Sequence, residues 1–269
     1  MKTNAPLPVD IKLMNAVATG LFVALLLMAL GAALAWAVRL PVFAIRGVSV
    51  VGDVSHYNAI TLRANVMPHL KGNFFTLDVD AARKVFETMP WVRQAVVRRD
   101  FPNRLKVQLQ EHQPVAYWGP EGDSRLLNSF GEVFEANLGE LERDDLPRLS
   151  GPDSQGAMVL AMHRTLAPLL TPLALTLDQL DLSPRGGWRA RLDTGTTLEL
   201  GSGSAAELVA RTERFVQTVT QATSRYSRSV EQLAAVDLRH TDGYAMRLNG
   251  VSTVSVEDIK KKTVTQSNR

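Results

Sequence analysis

Near the start of the chain, a run of 23 residues from Ala16 to Val38 contains no charged side chain. As an α-helix rising about 1.5 Å per residue, this run would be about 34 Å long, enough to cross a hydrocarbon core about 30 Å thick. A helix on a globular core normally keeps a polar stripe, and this run has none. The sequence therefore predicts one transmembrane helix over residues 16–38, with Trp36 where an indole suits the membrane interface.

The same run has features of a cleaved signal peptide, because Ala33, Leu34 and Ala35 match the small-x-small pattern of a cleavage site. The apolar core of a signal peptide is about 7–15 residues long, however, and this run is longer. Its length favours an uncleaved membrane anchor over a signal that is removed.

The basic residues around the run do not decide its orientation. Lys2 and Lys12 lie before it, and Arg39 and Arg46 follow it. Long downstream segments cross the membrane largely regardless of charge. We therefore expect a short cytoplasmic tail over residues 1–15, with the rest of the chain beyond the span lying outside the cytoplasm.

Composition and motifs exclude several classes of chemistry. The 269 residues include no cysteine, which excludes disulfides, thiolate catalysis and cysteine-ligated zinc. The net charge is only +3 and the basic residues are spread along the chain, which argues against a nucleic-acid-binding protein. The five histidines show no HExxH spacing, and no Ser-x-x-Lys, Gly-x-Ser-x-Gly or P-loop motif is present. The sequence predicts a protein that is not an enzyme and takes no metal and no cofactor.

The segment after the span alternates between strand-like and helix-like patterns. The predicted order is a strand over 43–53, helices over 55–70 and 78–89, and strands over 92–100 and 105–112. In the last strand Leu105, Val107 and Leu109 alternate with polar residues, as is typical of a strand with one wet face.

A pattern of residues within 90–118 carries a family resemblance. It consists of Pro90, Trp91, Val92, Arg98, Phe101, Pro102, Leu105, Val107, Glu111, Pro114, Ala116 and Trp118. Together with the string GNFFTLD at 72–78, it resembles the POTRA module of the FtsQ/DivIB family of bacterial cell-division proteins. Its motifs are specific over residues 44–135 and again near 236–248.

The resemblance implies an α+β fold. A single N-terminal transmembrane helix would be followed by a POTRA domain of β-α-α-β-β order and then by a mixed β-rich domain with flanking helices. The expected divisions are a juxtamembrane linker at 39–43, the POTRA domain at 44–117, an FtsQ-type β domain at 118–250 and a flexible tail at 251–269.

Local patterns subdivide the second domain. Two short strands are predicted over 125–135, an extended connector over 146–152, a helix over 156–170, then a three-strand meander, a second helix and a hairpin over 233–249. The apolar stripe expected on the first of these helices is Met158, Ala161, Met162, Leu166 and Leu169.

The resemblance also implies a binding site on the final hairpin. In the family, the last strand is an open sheet edge, which can accept a further strand from the division protein FtsB, itself paired with FtsL. Carried over by position, the contact residues here are His240, Asp242, Gly243, Tyr244, Met246, Leu248 and Arg185. A closing hairpin that only completes the core is the alternative, and one strand can serve both purposes.

Five basic residues of the first domain form a second candidate site. They are Arg93, Arg98, Arg99, Arg104 and Lys106. Such residues most often form a solvated sheet face. They would also suit a docking face for an acidic partner or for anionic headgroups, since the domain closely follows the predicted span.

Taken together, these features predict a bitopic scaffold of the bacterial inner membrane that acts at the division septum with most of its chain in the periplasm. FtsB and FtsL are the expected partners, FtsK, FtsW and FtsI are further candidates, and the bilayer is contacted through one span. Two alternatives remain open: a POTRA-bearing envelope assembly or secretion factor, and a membrane-anchored periplasmic hydrolase.

Overall fold

The computed structural model describes residues 9–251 except 54, 58, 142–144 and 241. The chain divides into two compact units between Glu111 and His112. This division lies six residues before the one expected from sequence, because Pro114–Trp118 forms a strand of the second unit's sheet. Most of the predicted tail, from residue 252 on, lies outside the described residues.

The first unit begins with helix α1, Val9–Val38, which includes the whole predicted span. Its apolar part is not covered by any other described part of the chain, and it is long and apolar enough to cross a membrane. Asp10 and Lys12 lie in its first turns, before the uncharged run begins. The predicted membrane-anchoring helix is therefore present as a single uninterrupted element.

A small three-stranded sheet follows α1. Its strands are β1 (Gly47–Asp53), β2 (Val92–Asp100) and β3 (Arg104–Glu111), in the order β1-β3-β2. β3 is central because it pairs in parallel with β1 and antiparallel with β2. Two helices, α2 (Ala59–Val66) and α3 (Val79–Glu87), complete the predicted β-α-α-β-β order.

The core of this unit lies between the helices and one face of the sheet. Leu105, Val107 and Leu109 are buried, as their alternation predicts. The Asp78 carboxylate accepts hydrogen bonds from the backbone N–H groups of Asp80 and Ala81, which fixes the start of α3. Sequence and structure agree closely in this region.

The first predicted helix of this unit was too long. α2 begins at Ala59 instead of near Ser55, and Met67–His69 forms a separate 3-10 turn. The N–H of Ser55 donates to Glu111, so this residue belongs to a loop bound to β3. Ile60, an apolar residue of α2, is 80% exposed.

The second unit contains one sheet of nine strands within the described ranges, in the order β12-β11-β10-β9-β8-β7-β4-β5-β6. Its strands are β4 Pro114–Trp118, β5 Arg125–Asn128, β6 Val133–Glu135, β7 Arg148–Ser150, β8 Leu177–Leu182, β9 Trp188–Leu192, β10 Thr197–Gly201, β11 Leu233–Asp237 and β12 Ala245–Leu248. The predicted meander is β8-β9-β10, and the predicted final hairpin is β11-β12. The segment predicted as a connector includes β7, which pairs in parallel with β4 and β8.

Two helices, α4 (Gly156–Leu170) and α5 (Ala205–Ser224), pack against this sheet. A capping box between Ser204 and Glu207 starts α5. The predicted stripe of α4 was partly wrong: Met162 and Leu166 are buried, but Met158 is 55% exposed. The remaining core positions of α4 are Val159, Leu160 and Leu170. Apolar residues occur all around this helix, so hydrophobicity alone could not identify its buried side.

Candidate functional site: the open edge at β12

The last strand, β12, forms one edge of the large sheet. It pairs antiparallel with β11, with Ala245 opposite Asp237, Met246 opposite Val236 and Leu248 opposite Leu233. Among the described residues, no strand lies on its other side. An edge strand presents backbone N–H and C=O groups that a further strand can pair with. The geometry of β12 therefore permits strand addition.

The side chains of β12 divide between the two faces of the sheet. Leu248 is only 6% exposed and belongs to the core, and Met246 packs against the same core. Ala245 and Arg247 are exposed on the opposite face. Strand alternation explains this division, since successive side chains point to opposite faces.

Tyr244 holds the start of β12 against helix α5. Its ring packs edge-on against Phe215, with 5.6 Å between ring centroids. Its hydroxyl lies 3.0 Å from Oγ1 of Thr218. Of the predicted contact residues, Tyr244, Met246 and Leu248 therefore support the strand from its own core side. The side chains exposed on the open face are those of Ala245 and Arg247. Their alternation with buried Leu248 could have identified them from the sequence.

The loop before β12 contains three other predicted contact residues. His240 and Asp242 are exposed and Gly243 is half-buried, while Thr241, within the predicted hairpin, lies outside the described residues. Arg185 is exposed in the turn between β8 and β9. This turn is at the same end of the sheet as the loop, since β9 begins and β11 ends there. Three strand spacings, or about 14 Å, separate the two, so Arg185 does not lie at the edge itself.

An ion pair precedes this loop. The Arg239 guanidinium donates to both carboxylate oxygens of Asp237, with Nε–Oδ1 at 2.9 Å and Nη2–Oδ2 at 2.6 Å. Hydrogen bonding from Arg239 lowers the pKa of Asp237 from 3.8 to about 2. The carboxylate is therefore ionised and held in place at neutral pH.

The neighbouring strands continue this charged pattern across the open face of the large sheet. In register, Asp181, Arg189, Glu199 and Asp237 lie side by side on β8 to β11. Nε of Arg189 donates to Oε1 of Glu199 at 2.7 Å. The row carries one arginine among three acids, and Asp237 is paired with Arg239 beyond the end of its strand, so ion pairs compensate part of the negative charge.

The basic residues of the small sheet do not all share one face. Arg98 lies opposite Lys106, and Arg104 lies opposite Asp100, all on the face away from the helices. Arg93 donates to Gln110 on that same face, at 3.1 Å. The structure thus brings together Arg93, Arg98, Arg104 and Lys106.

Arg99 is the exception in this basic set. It lies opposite Leu105, whose side chain points into the core. Nη2 of Arg99 donates to the carbonyl oxygen of Leu77 at 2.7 Å. Arg99 therefore fastens the loop before α3 to the sheet and does not contribute to the exposed basic face.

One acid and one histidine come together in the small unit, but their contacts are structural. The buried Glu111 carboxylate accepts hydrogen bonds from the N–H groups of Ser55 and His56, and Oε2 lies 2.9 Å from Nδ1 of His56. The His56 ring stacks on buried Trp91, with ring centroids 3.7 Å apart. This cluster closes the loop after β1 against the end of β3.

A cleft of about 550 Å³ beside α4 contains His163. Burial lowers the pKa of His163, and its Nε2 lies 3.2 Å from the carbonyl oxygen of Leu177. Within the described ranges, no three His, Asp or Glu side chains are placed to hold a metal ion. The described geometry thus offers contact surfaces more clearly than it offers reactive groups.

Comparisons with known proteins agree with this architecture. A family model described as POTRA domain, FtsQ-type, matches residues 43–112, and one described as cell division protein FtsQ/DivIB, C-terminal, matches residues 116–239. A protein of Burkholderia pseudomallei named cell division protein FtsQ is 39% identical, with 94% of this chain and 99% of that protein aligned. The protein of the same name from Thiomonas arsenitoxydans is 38% identical, over 98% and 97%. That from Bordetella pertussis is 34% identical, over 89% and 92%.

The boundary between the two matched segments, at residues 112–116, lies at the division between the two structural units, and the alignments extend across nearly the whole chain. The chain thus combines an apolar helix, a β-α-α-β-β unit and a large sheet that ends in an open strand. Family models match both of its folded parts. On these grounds, the chain belongs to the FtsQ/DivIB family of bacterial cell-division proteins.

Proposed function

We propose that this protein is a non-enzymatic scaffold of the division machinery, anchored in the inner membrane by α1, that captures the FtsB–FtsL pair by strand addition to β12. The observation that carries the proposal is the position of β12 at the sheet edge, with no described strand on its outer side. In strand addition, backbone hydrogen bonds supply affinity and alternate side chains supply specificity.

The core side of β12 supports this role. Leu248, Met246 and Tyr244 fix the strand against the core and α5, so an incoming strand would meet an edge that is already ordered. A preorganised edge lowers the entropic cost of binding. The partner strand would pair with the outer backbone groups of β12 and contact Ala245 and Arg247 on the open face.

The charges near the edge favour an acidic partner strand. Arg247 is exposed on β12 and Arg185 in a turn at the same end of the sheet, about 14 Å from the edge, while Asp242 is the exposed acid of the preceding loop. Asp237 is already paired with Arg239, so its charge is largely compensated. Complementary charge speeds association and fixes register.

The small sheet provides a second, separate docking surface in this proposal. Arg93, Arg98, Arg104 and Lys106 form a basic face on the side opposite α2 and α3. Acidic segments of other division proteins, with FtsK, FtsW and FtsI as candidates, would suit it. The double variant Arg98→Glu, Lys106→Glu should weaken recruitment of such a partner without weakening FtsB–FtsL capture.

Orientation and location complete the proposal. The tail before the span would be cytoplasmic, and both folded units would be periplasmic at the division septum. A fluorescent fusion of the full chain should form mid-cell rings in dividing cells. A uniform envelope signal would instead favour an assembly factor or a hydrolase.

The decisive experiment places proline at two successive edge positions, in Met246→Pro and Arg247→Pro. Successive residues of an edge strand direct their N–H groups to opposite sides. One variant therefore removes a hydrogen bond to β11, and the other removes a donor facing the incoming strand. Co-purification of FtsB and FtsL with the full-length variants, together with thermal unfolding, separates the two effects. We expect at least one variant to lose capture while the second unit stays folded.

Prolines on other edge strands provide matched controls. Val51→Pro tests β1 and Glu135→Pro tests β6, which are edges of the small and the large sheet. Both should retain FtsB and FtsL. If Val51→Pro abolished capture and both β12 variants retained it, the binding edge would be β1 and the proposal for β12 would be wrong.

A further inference from the structure

Four phenylalanines form a cluster where the span meets the first folded unit. Phe43 packs edge-on against Phe75 at 4.9 Å between ring centroids, Phe75 against Phe74 at 5.2 Å, and Phe74 against Phe101 at 5.7 Å. Despite these contacts, Phe75 is 47% exposed and Phe101 is 71% exposed. A contiguous exposed apolar patch of this kind marks an interaction surface more often than a solvated one.

Hydrogen bonds attach this cluster directly to the end of the span. Nδ2 of Asn73 donates to the carbonyl oxygen of Val38, the last residue of α1, at 2.8 Å. The N–H of Phe74 donates to the carbonyl oxygen of Phe43 at 2.9 Å, and Nδ2 of Asn103 donates to that of Val42 at 3.5 Å. The segment predicted as a linker is therefore bound to two loops of the domain.

Membrane dimensions fix the height of the cluster. The uncharged run that ends at Val38 is about 34 Å long as a helix, close to the thickness of a hydrocarbon core of about 30 Å. Its last carbonyl thus lies at the boundary between acyl chains and headgroups, a layer about 5–8 Å deep on each side. Asn73 contacts this carbonyl, so Phe74 and Phe75 must lie at the same level.

We propose that Phe43, Phe74, Phe75 and Phe101, with exposed Val42, form a membrane-seating surface that inserts into the bilayer interface. Aromatic and aliphatic side chains on such surfaces bury about 5–10 Å into the boundary between headgroups and acyl chains. Exposed Arg39 and Lys71 flank the surface and suit anionic phosphate headgroups. The folded part of the first unit then lies against the bilayer at a fixed height and is not joined to the span by a flexible linker.

The absence of cysteine makes site-directed spin labelling of the full-length protein straightforward. Val42→Cys places a spin label on the membrane-seating surface and leaves all four rings in place. Phe101→Cys places a label on the far side of the same surface. Gln110→Cys is the matched control, because it is exposed on the same unit about 20 Å along β3 from the Phe101 turn. Each variant is reconstituted at low density in vesicles of phosphatidylcholine and phosphatidylglycerol.

Collision rates with oxygen and with a water-soluble nickel chelate give the depth of each label. We expect the nickel collision rate at positions 42 and 101 to be about fivefold or more below that at 110, as for side chains within the interface. Equal nickel access at all three positions would overturn the proposal. Because these vesicles contain no other protein, that outcome would leave a protein partner as the occupant.

A second variant tests whether the rings provide the insertion. Phe75→Ser combined with Phe101→Ser should restore nickel access at position 42 to within about twofold of the control at 110. Thermal unfolding in the same vesicles verifies that the unit remains folded. Unchanged protection at position 42 in this folded variant would also contradict the proposal, which does not depend on FtsB–FtsL capture.

Discussion

Two edge strands of this molecule, β2 and β12, differ in how their outer backbone is covered. β2 has nine residues, and on its outer side the N–H of Ala95 donates to the Glu87 carboxylate of α3 at 3.3 Å. β12 has four residues and no described strand beyond it. Long bare edges promote aggregation, and proteins usually protect them. One outer N–H of β2 is thus covered by a helix side chain, and this contrast supports the proposal that the edge at β12 is kept for pairing.

The largest effect should come from the core side of β12. Leu248→Ala removes a buried side chain and should lower the free energy of unfolding of the second unit by about 2–5 kcal/mol. The exposed neighbour provides the matched control, since Arg247→Ala should change it by no more than about 0.5 kcal/mol. Urea unfolding of both variants measures the difference. Equal destabilisation would mean that β12 does not have one core side and one free side.

The protection of β2 can be removed next. Glu87→Ala leaves the N–H of Ala95 without its acceptor and should cost about 1–3 kcal/mol of unfolding free energy. It should also create a second bare edge, visible as self-association in sedimentation velocity. Glu87→Gln keeps a carbonyl acceptor and is the control. Monomeric Glu87→Ala with unchanged stability would show that this carboxylate does not protect the edge.

A smaller effect is expected where α5 holds the start of β12. Tyr244→Phe keeps the ring against Phe215 but loses the hydroxyl contact to Thr218, at an expected cost of about 0.5–1.5 kcal/mol. Thr218→Val removes the same contact from the other side. A double-mutant cycle should show coupling between the two positions, and additive effects would argue against the hydrogen bond.

The smallest effect concerns pH. The pKa of Asp237 is lowered from 3.8 to about 2 in the folded chain, so its pairing with Arg239 stabilises the fold above about pH 4. This stabilisation is lost as the pH falls from about 4 towards 2. Because Arg239 is largely exposed, the unfolding free energies of the wild-type chain and of Asp237→Asn should differ by under about 1 kcal/mol at pH 6. Unfolding measurements from pH 6 to pH 2.5 should show this difference in unfolding free energy shrinking below pH 4.

Local patterns predicted much of the fold. The uncharged run identified α1, alternation identified the buried side of β3, and local patterns identified the β8-β9-β10 meander and the last hairpin. These features depend on residues close in sequence. Pairing between distant segments was not predictable in the same way, and β7 became a strand only because β4 and β8 lie on either side of it.

The candidate site shows the same limit. Alternation separates Tyr244, Met246 and Leu248 from Ala245 and Arg247, but the resemblance assigned the contact role to the first set, which packs against α5 and the core. Likewise, sequence spacing could not separate Arg99 from the other basic residues, because its direction depends on its pairing opposite Leu105. Whether FtsB and FtsL bind at this edge remains a prediction.

The parallel pairing of β1 with β3 has a mechanical consequence. The span enters the small sheet at the start of β1, and the chain leaves towards the second unit at the end of β3. Tension between the membrane and a captured partner would therefore pull the two strands past one another along their length. The seven residue pairs from Gly47–Arg104 to Asp53–Gln110 would share that load in shear instead of opening one after another. The order of the strands thus suits a unit that resists tension applied between its two ends.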